Sequence, residues 1–327
     1  MKMVHTRDML DRSQSIFAVA FLLLGSAAVV MPVSSGIFGT FDMPSADLLD
    51  AFKPVQKTVG VSSSVSLPPP DLVAASALIY DPIRDTVIFE KTSDEKFGIA
   101  SVTKIMTALV AYNHAGERER ISIGPDAVRT EGSEGDLAVG EHFLLRDLIT
   151  IMLISSSNDA AAAIAEHIGM LHGALNFEES QIVFVRMMNE YARAQGLTGT
   201  AFQNATGLDA DEDRGIASNT STARDIALLM KHVFHHPMLG NAYTAVHTTV
   251  YSEEDIPHTV STTHELLATA SGVIGGKTGF TDAAGGALVT IAEVPFGHVS
   301  IIVILGSTRD GRFTDTTALL DWLRNKT

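Results

Sequence analysis

The stretch IASVTKIMTALVAYNH, Ile99 to His114, decides how the rest of the chain is read. From Ala100 onward its apolar residues recur at helical spacing, with Ile105, Leu109 and Tyr112 on one face, and Gly116 marks the stop. Ser101 opens the segment and Lys104 follows three residues later, so hydroxyl and amine share a face. The amino end of a helix has free N–H groups and a field that favours negative charge. A serine hydroxyl becomes a nucleophile only beside a base. Lys104 serves as that base if burial or a neighbouring cation keeps it neutral. Alone, S-x-x-K is a common chance pattern, and a helix cap beside a solvent-exposed lysine explains it more simply.

Before this segment, Ala74–Tyr80 is apolar and closes at Asp81-Pro82, and Thr86–Glu90 alternates, which predicts a hairpin. After it, helical spacing recurs at Leu145–Leu153, in the alanine-rich Asn158–His167, and at Gln181–Gln195. Thr222 and Asp225 form a capping box for a helix through Phe234. Strands return at Val273–Lys277, Gly285–Glu293 and His298–Gly306, and Asp315–Asn325 is an amphipathic helix. The expected fold is α/β of the α+β kind. Both ends of the body build one antiparallel sheet flanked by helices, with a mostly helical lobe inserted at about 115–240. The active site belongs in the cleft between sheet and lobe.

Two further patterns fall at that cleft. Ser155-Ser156-Ser157-Asn158 breaks two helices, as a loop and cap would, and places an amide and a hydroxyl for use. Gly275-Gly276-Lys277-Thr278-Gly279-Phe280-Thr281 interrupts a strand pattern. Glycine weakens a strand unless something approaches its backbone closely. A tight hairpin turn is the alternative. Lys277 and Thr278 would offer charge and a hydroxyl to a carboxylate, and Gly279 would let a peptide lie along the strand edge.

In order, spacing and setting, Ser101-Val102-Thr103-Lys104, Ser156-Ser157-Asn158 and Lys277-Thr278-Gly279 resemble the three signatures of penicillin-binding proteins and serine β-lactamases. The stretches IASVTKIMTA (99–108), Asn158-Asp159-Ala160-Ala161, Met188-Asn189, TAFQNATGL (200–208), Ser221–Asp225, KTGFTDAAGG (277–286) and Leu305-Gly306 narrow the likeness. They resemble the low-molecular-weight D-alanyl-D-alanine carboxypeptidases, over nearly all of Leu72–Arg324. The resemblance implies a DD-peptidase/β-lactamase-like fold and a serine peptidase acting on peptidoglycan stem peptides that end in D-Ala-D-Ala. Ser101 would be the nucleophile, Lys104 the base, Ser156 a proton relay and Asn158 a ligand of the substrate amide. Lys277 and Thr278 would hold the carboxylate, and the backbone N–H groups of Ser101 and Phe280 would form the oxyanion hole. No metal or organic cofactor is implied. β-Lactams would acylate Ser101 as substrate mimics. The chain ends at the helix holding Trp322, with no all-β domain after it, a plan that resembles the family's D,D-endopeptidases. A β-lactamase is disfavoured because no separate deacylating Glu stands out. A silent wall-binding protein is disfavoured because all three motifs are intact. The family often has Asn where His264 stands, so low pH would add a basic group there.

The amino terminus addresses location. Lys2, Arg7 and Arg12 precede an apolar stretch from Ile16 to Val33, close to the roughly 20 residues that span a bilayer. Residues 1–35 therefore read as a signal peptide or a retained anchor. No clean small-x-small cleavage site follows, only a weak one at Pro32-Val33-Ser34-Ser35, and this tilts the choice toward an anchor, with the body outside the cytoplasm. Residues 36–70, rich in Ser and Pro, read as a spacer, and 71–327 as the catalytic domain. Formal net charge is −15, all of it beyond Pro70, which excludes nucleic acid as a partner. There is no cysteine, hence no disulfide and no thiol nucleophile. His114, His142, His167, His172, His232, His235 and His236 are dispersed, without a metal-ligand pattern. Arg309 and Arg312 would aid carboxylate binding or pair with Asp310 and Asp315. Asp209, Asp211, Glu212 and Asp213 form a solvated acidic loop, with calcium a weaker reading.

Overall fold

The computed structural model describes residues 68–326, apart from 133, 210–214, 237–238 and 240–241. The apolar segment at 16–33 and the spacer before residue 68 lie outside the described residues.

The first hairpin is β1 (Ser76–Asp81) and β2 (Thr86–Lys91), followed by the two-residue β3 (Phe97–Gly98). A 3-10 turn, Ala100–Thr103, leads into α1 (Lys104–His114). The lobe contains β4 (Arg120–Ser122), α2 (Pro125–Val128), β5 (His142–Leu144), α3 (Leu145–Ile154), α4 (Asn158–Leu171), α5 (Phe177–Ala194), β6 (Thr220–Ser221) and α6 (Ala223–His235). The hairpin β7 (His247–Tyr251) and β8 (Pro257–Ser261) and the short α7 (Leu266–Thr269) follow. The chain returns to the sheet as β9 (Val273–Thr281), β10 (Gly285–Glu293) and β11 (Val299–Ser307), then α8 (Gly311–Lys326).

The main sheet has the order β2-β1-β11-β10-β9 and is antiparallel throughout. Its central strands are apolar on both faces because both are covered. Ala77, Ile79, Leu288, Ile302 and Ile304 pack on one side against Phe313, Leu319, Leu320 and Trp322 of α8. Leu78, Val289, Ile291, Val303 and Leu305 face the other way, into the core shared with α1, α3, α4 and α6. α1 is therefore central. Every residue from Lys104 to Ala111 is buried, Lys104 included.

Asp315 joins the two ends of the body. Its carboxylate accepts from Val73 N (2.9 Å), Ala74 N (2.8 Å) and Ser307 Oγ (2.9 Å). That contact corrects one expectation: Asp315 does not pair with an arginine. The capping box is half formed as well. Thr222 Oγ1 accepts from Asp225 N at 3.0 Å, but the Asp225 carboxylate turns to Gly199 N and Thr200 Oγ1, both at 2.8 Å. The β7–β8 hairpin is an element the sequence reading did not anticipate.

Candidate active site

Ser101 does not open the long helix, as the sequence suggested. It sits in the 3-10 turn, and α1 begins at Lys104. The turn starts from Ala100, held at φ +44°, a conformation a side chain makes costly. Two glycines let the turn fit. A Cβ on Gly207 (φ +90°) would lie 2.1 Å from Ala100 O, and one on Gly279 would lie 2.7 Å from Ile99 O and 3.1 Å from Ser101 N. Gly279 thus admits the Ser101 turn itself, a use the sequence reading had given to a ligand.

Lys104 is fully buried, and its Nζ has three partners: Ser101 Oγ at 2.8 Å, Asn158 Oδ1 at 2.6 Å and Thr206 O at 2.7 Å. Two of these only accept, so a neutral amine gives them its two N–H groups and keeps its lone pair for the Ser101 hydroxyl. Burial pushes the Lys104 ammonium well below its ordinary range, the Lys277 charge lowers it further, and Asp159 opposes the shift. The neutral form is the one proton abstraction needs.

Asn158 is fixed at its other end by Glu131 O, which accepts from Nδ2 at 2.7 Å. It begins α4, whose cap is Ser157, with Oγ accepting from Ala160 N at 3.0 Å. Ser156, just before, has φ +69° and is half-buried. Its Oγ accepts from Lys277 Nζ at 2.9 Å, so the second motif is tied to both lysines, to Lys277 through Ser156 and to Lys104 through Asn158.

Lys277, Thr278 and Gly279 lie inside β9 and not in a turn. β9 is the edge strand, and its pairing with β10 runs unbroken from Gly275 to Thr281. Lys277 is buried, and desolvation, helped by the Arg312 charge, lowers it to about 7. Its Nζ also donates to Thr278 O at 2.8 Å. Thr278 Oγ1 meets Thr263 Oγ1 at 2.5 Å. Arg312 reaches from α8 to Gly279 O at 2.5 Å, and Arg309 stacks over the half-buried Phe280 ring, 3.9 Å from its centroid.

His264 is buried behind the strand, with Nε2 2.9 Å from Thr290 Oγ1. Burial, then Lys277, pushes it down to about 4. The basic group expected there at low pH therefore appears only near pH 4 and below. Sequence reasoning missed Thr206, Glu131 and Thr263. Two of them act through backbone carbonyls, which carry no side-chain signal.

The dispersed histidines have structural partners. His142 meets Glu254 (2.8 Å), His167 meets Glu119 (3.0 Å), and His114 stacks edge-on with His172. Among the described residues no group of three or more His, Asp or Glu could hold a metal ion. Asp209 accepts from Ser218 N at 3.0 Å, and the rest of the acidic loop lies outside the described residues.

A family model described as D-alanyl-D-alanine carboxypeptidase matches residues 63–308. A D-alanyl-D-alanine endopeptidase of Pseudomonas aeruginosa is 29% identical over 282 residues, covering 81% of this chain and 85% of that one. The D-alanyl-D-alanine carboxypeptidase DacC of Escherichia coli is 33% identical over 266 residues, covering 77% of this chain; the chain spans 62% of that relative's length. Among solved structures, a D-alanyl-D-alanine carboxypeptidase from Mycobacterium tuberculosis superposes with TM-score 0.68 at 25% identity, covering 79% of this chain and 93% of that one. A mutant of a Streptomyces DD-transpeptidase superposes with TM-score 0.70 at 25% identity, covering 78% of this chain and 98% of that one.

Proposed function

The chain belongs to the D-alanyl-D-alanine carboxypeptidase family, and on that premise we propose that it removes the terminal D-alanine from peptidoglycan stem peptides through an acyl-enzyme on Ser101. The observation that carries this reading is the buried Lys104 Nζ, 2.8 Å from Ser101 Oγ with its other two partners both acceptors. Ser101 Oγ attacks the carbonyl between the two D-alanines and gives its proton to Lys104. The backbone N–H groups of Ser101 and Phe280 take the developing oxyanion, a contribution on the order of 3 kcal/mol per donor. Ser156, held by Lys277, relays the proton that Lys104 took to the leaving amine as the C–N bond breaks, which leaves Ser156 a hydroxyl and Lys104 neutral again. Asn158 aligns the substrate amide, while Lys277 and Thr278 hold the terminal carboxylate. Water, with Lys104 again as base, then hydrolyses the ester and frees Ser101. No cofactor enters this scheme.

Residues 71–327 form the catalytic domain in this reading, with 36–70 as a tether and 1–35 as the export signal or membrane anchor. The body would then work outside the cytoplasm, where peptidoglycan lies. Among the described residues no helix is long and apolar enough to cross a membrane.

A second reading is D,D-endopeptidase activity at cross-links, favoured by the 29% identity to an endopeptidase over 85% of its length. The test has two parts. A fluorescent penicillin labels the wild type and does not label Ser101→Ala; equal labelling of both removes the mechanism. Digestion of cross-linked wall fragments followed by mass analysis separates the activities. Release of D-alanine alone supports the first reading, and conversion of dimers to monomers the second.

A further inference from the structure

One buried pair has no part in that chemistry. Glu141 and His258 are 3% and 5% exposed and come from different elements, the turn before β5 and the strand β8. His258 Nε2 lies 2.9 Å from Glu141 Oε1, and His258 Nδ1 lies 2.8 Å from Gly135 O. The other carboxylate oxygen, Glu141 Oε2, accepts from Ala138 N at 2.6 Å. The Phe143 ring meets the imidazole edge-on, with centroids 5.1 Å apart. Both ring nitrogens thus face acceptors, whereas a neutral imidazole has one N–H. The contact is one hydrogen bond between ring and carboxyl.

The segment that the pair contacts at Gly135 and Ala138, described at 131–132 and 134–141, lies against the active site. Within that segment Glu131 O accepts from Asn158 Nδ2 at 2.7 Å, Gly132 O from Asn158 N at 3.3 Å, and Glu134 O from Ser155 Oγ at 3.1 Å. The fit is close: a Cβ on Gly132 would stand 2.5 Å from Asn158 Nδ2. Because Nδ2 is taken by a carbonyl, Oδ1 is the atom left to receive Lys104 Nζ at 2.6 Å. The far side of the clamp is anchored too. The chain from β8 runs to Thr263, whose N donates to Ile154 O at 3.3 Å and whose hydroxyl meets Thr278 at 2.5 Å.

We propose that Glu141 and His258 form a clamp that positions the Asn158 amide, and through it Lys104, for proton transfer. The proposal rests on the serine peptidase reading above. His258 and Glu141 are positioning residues and touch no reacting atom. Glu141→Gln keeps the clamp, because its amide N–H donates to His258 Nε2 and its oxygen still serves Ala138 N. His258→Phe fills the same space and donates nothing to Gly135 O.

The test is the rate of penicillin acylation of Ser101 in these variants, alone and combined with Asn158→Ala. His258→Phe slows acylation on the order of 10- to 100-fold, the scale for a sub-ångström misplacement of a catalytic group, while Glu141→Gln stays within about threefold. In the Asn158→Ala background the His258→Phe effect shrinks to about twofold or less, because the two changes break one chain of contacts. Wild-type acylation in His258→Phe, or an undiminished effect on top of Asn158→Ala, overturns the clamp. If His258→Phe does not fold, Glu141→Leu takes its place with the same expectations. A second readout needs no penicillin. The side-chain amide of Asn158, followed by 15N NMR, shifts and exchanges faster in His258→Phe but not in Glu141→Gln; an unmoved signal overturns the proposal. Failure of wild-type Ser101 to take penicillin would remove the serine peptidase reading, and the amide signal would still decide the clamp.

Discussion

Gly279→Ala is the sharpest perturbation this site offers, because it adds one methyl group between two backbones. The new Cβ would sit 2.7 Å from Ile99 O and 3.1 Å from both Ala100 Cβ and Ser101 N. Ordinary van der Waals contact begins near 3.4 Å, so strand and turn must part by about 0.7 Å. β9 has no room to retreat: β10 pairs with it on one side, and Arg312 holds the Gly279 carbonyl. The turn has to move instead. Ser101 sits on it and Lys104, the first residue of α1, follows directly, so their 2.8 Å contact is the least disturbed. What changes is the distance from Ser101 Oγ to the groups on β9, namely Lys277, Thr278 and the Phe280 N–H. Overpacking of this kind costs about 1–3 kcal/mol, and the misplacement slows acylation by on the order of 10- to 100-fold. Stopped-flow labelling with a fluorescent penicillin reads the rate, and thermal melting reads the stability. In the proposed mechanism the acid limb of the rate's pH profile belongs to Lys104, so it should stay where it was. A variant that acylates within about twofold of wild type and melts at the same temperature refutes the argument that Gly279 is there for the turn.

Two pH experiments follow from the buried cations. Lys104 is lowered first by burial and then by Lys277, so Lys277→Met removes a like charge and its pKa rises. The acid limb of penicillin acylation should move to higher pH in that variant; a limb that stays fixed or moves to lower pH excludes the coupling. His264 is lowered from 6.5 to about 4. The unfolded chain binds the proton that the folded one resists, so the wild type keeps this contribution above pH 6.5 and loses it as pH falls toward 4 and below. The shift corresponds to about 3 kcal/mol between those limits. Denaturant titrations should show His264→Asn losing that much less stability than the wild type on acidification, and parallel pH curves would count against it.

The three motifs were legible because each is local: a hydroxyl and an amine three residues apart, a polar break between two helices, glycines within a strand. The sheet was legible for a similar reason, since its central strands are unbroken apolar runs. The β7–β8 hairpin escaped notice because few of its side chains are buried apolar groups, with Val250 and Val260 the chief ones, and such short alternation is weak. His258 was invisible for a different reason. Its acceptor carbonyl on Gly135 and its partner Glu141 lie more than a hundred residues away, and a carbonyl leaves no mark in the residue alphabet.

Taken alone, the sequence determined the residue types, their order and the helices and strands that carry them, because periodicity and spacing are properties of neighbouring residues. Only the tertiary structure decided that Lys104 is buried between two acceptors, that Ser101 sits on a turn pressed against a glycine of the edge strand, and that Lys277 holds Ser156. Those facts depend on burial and on backbone groups from distant segments. Desolvation and carbonyl orientation exist only once the chain has closed on itself, and they are what lower the pKa of an otherwise ordinary lysine.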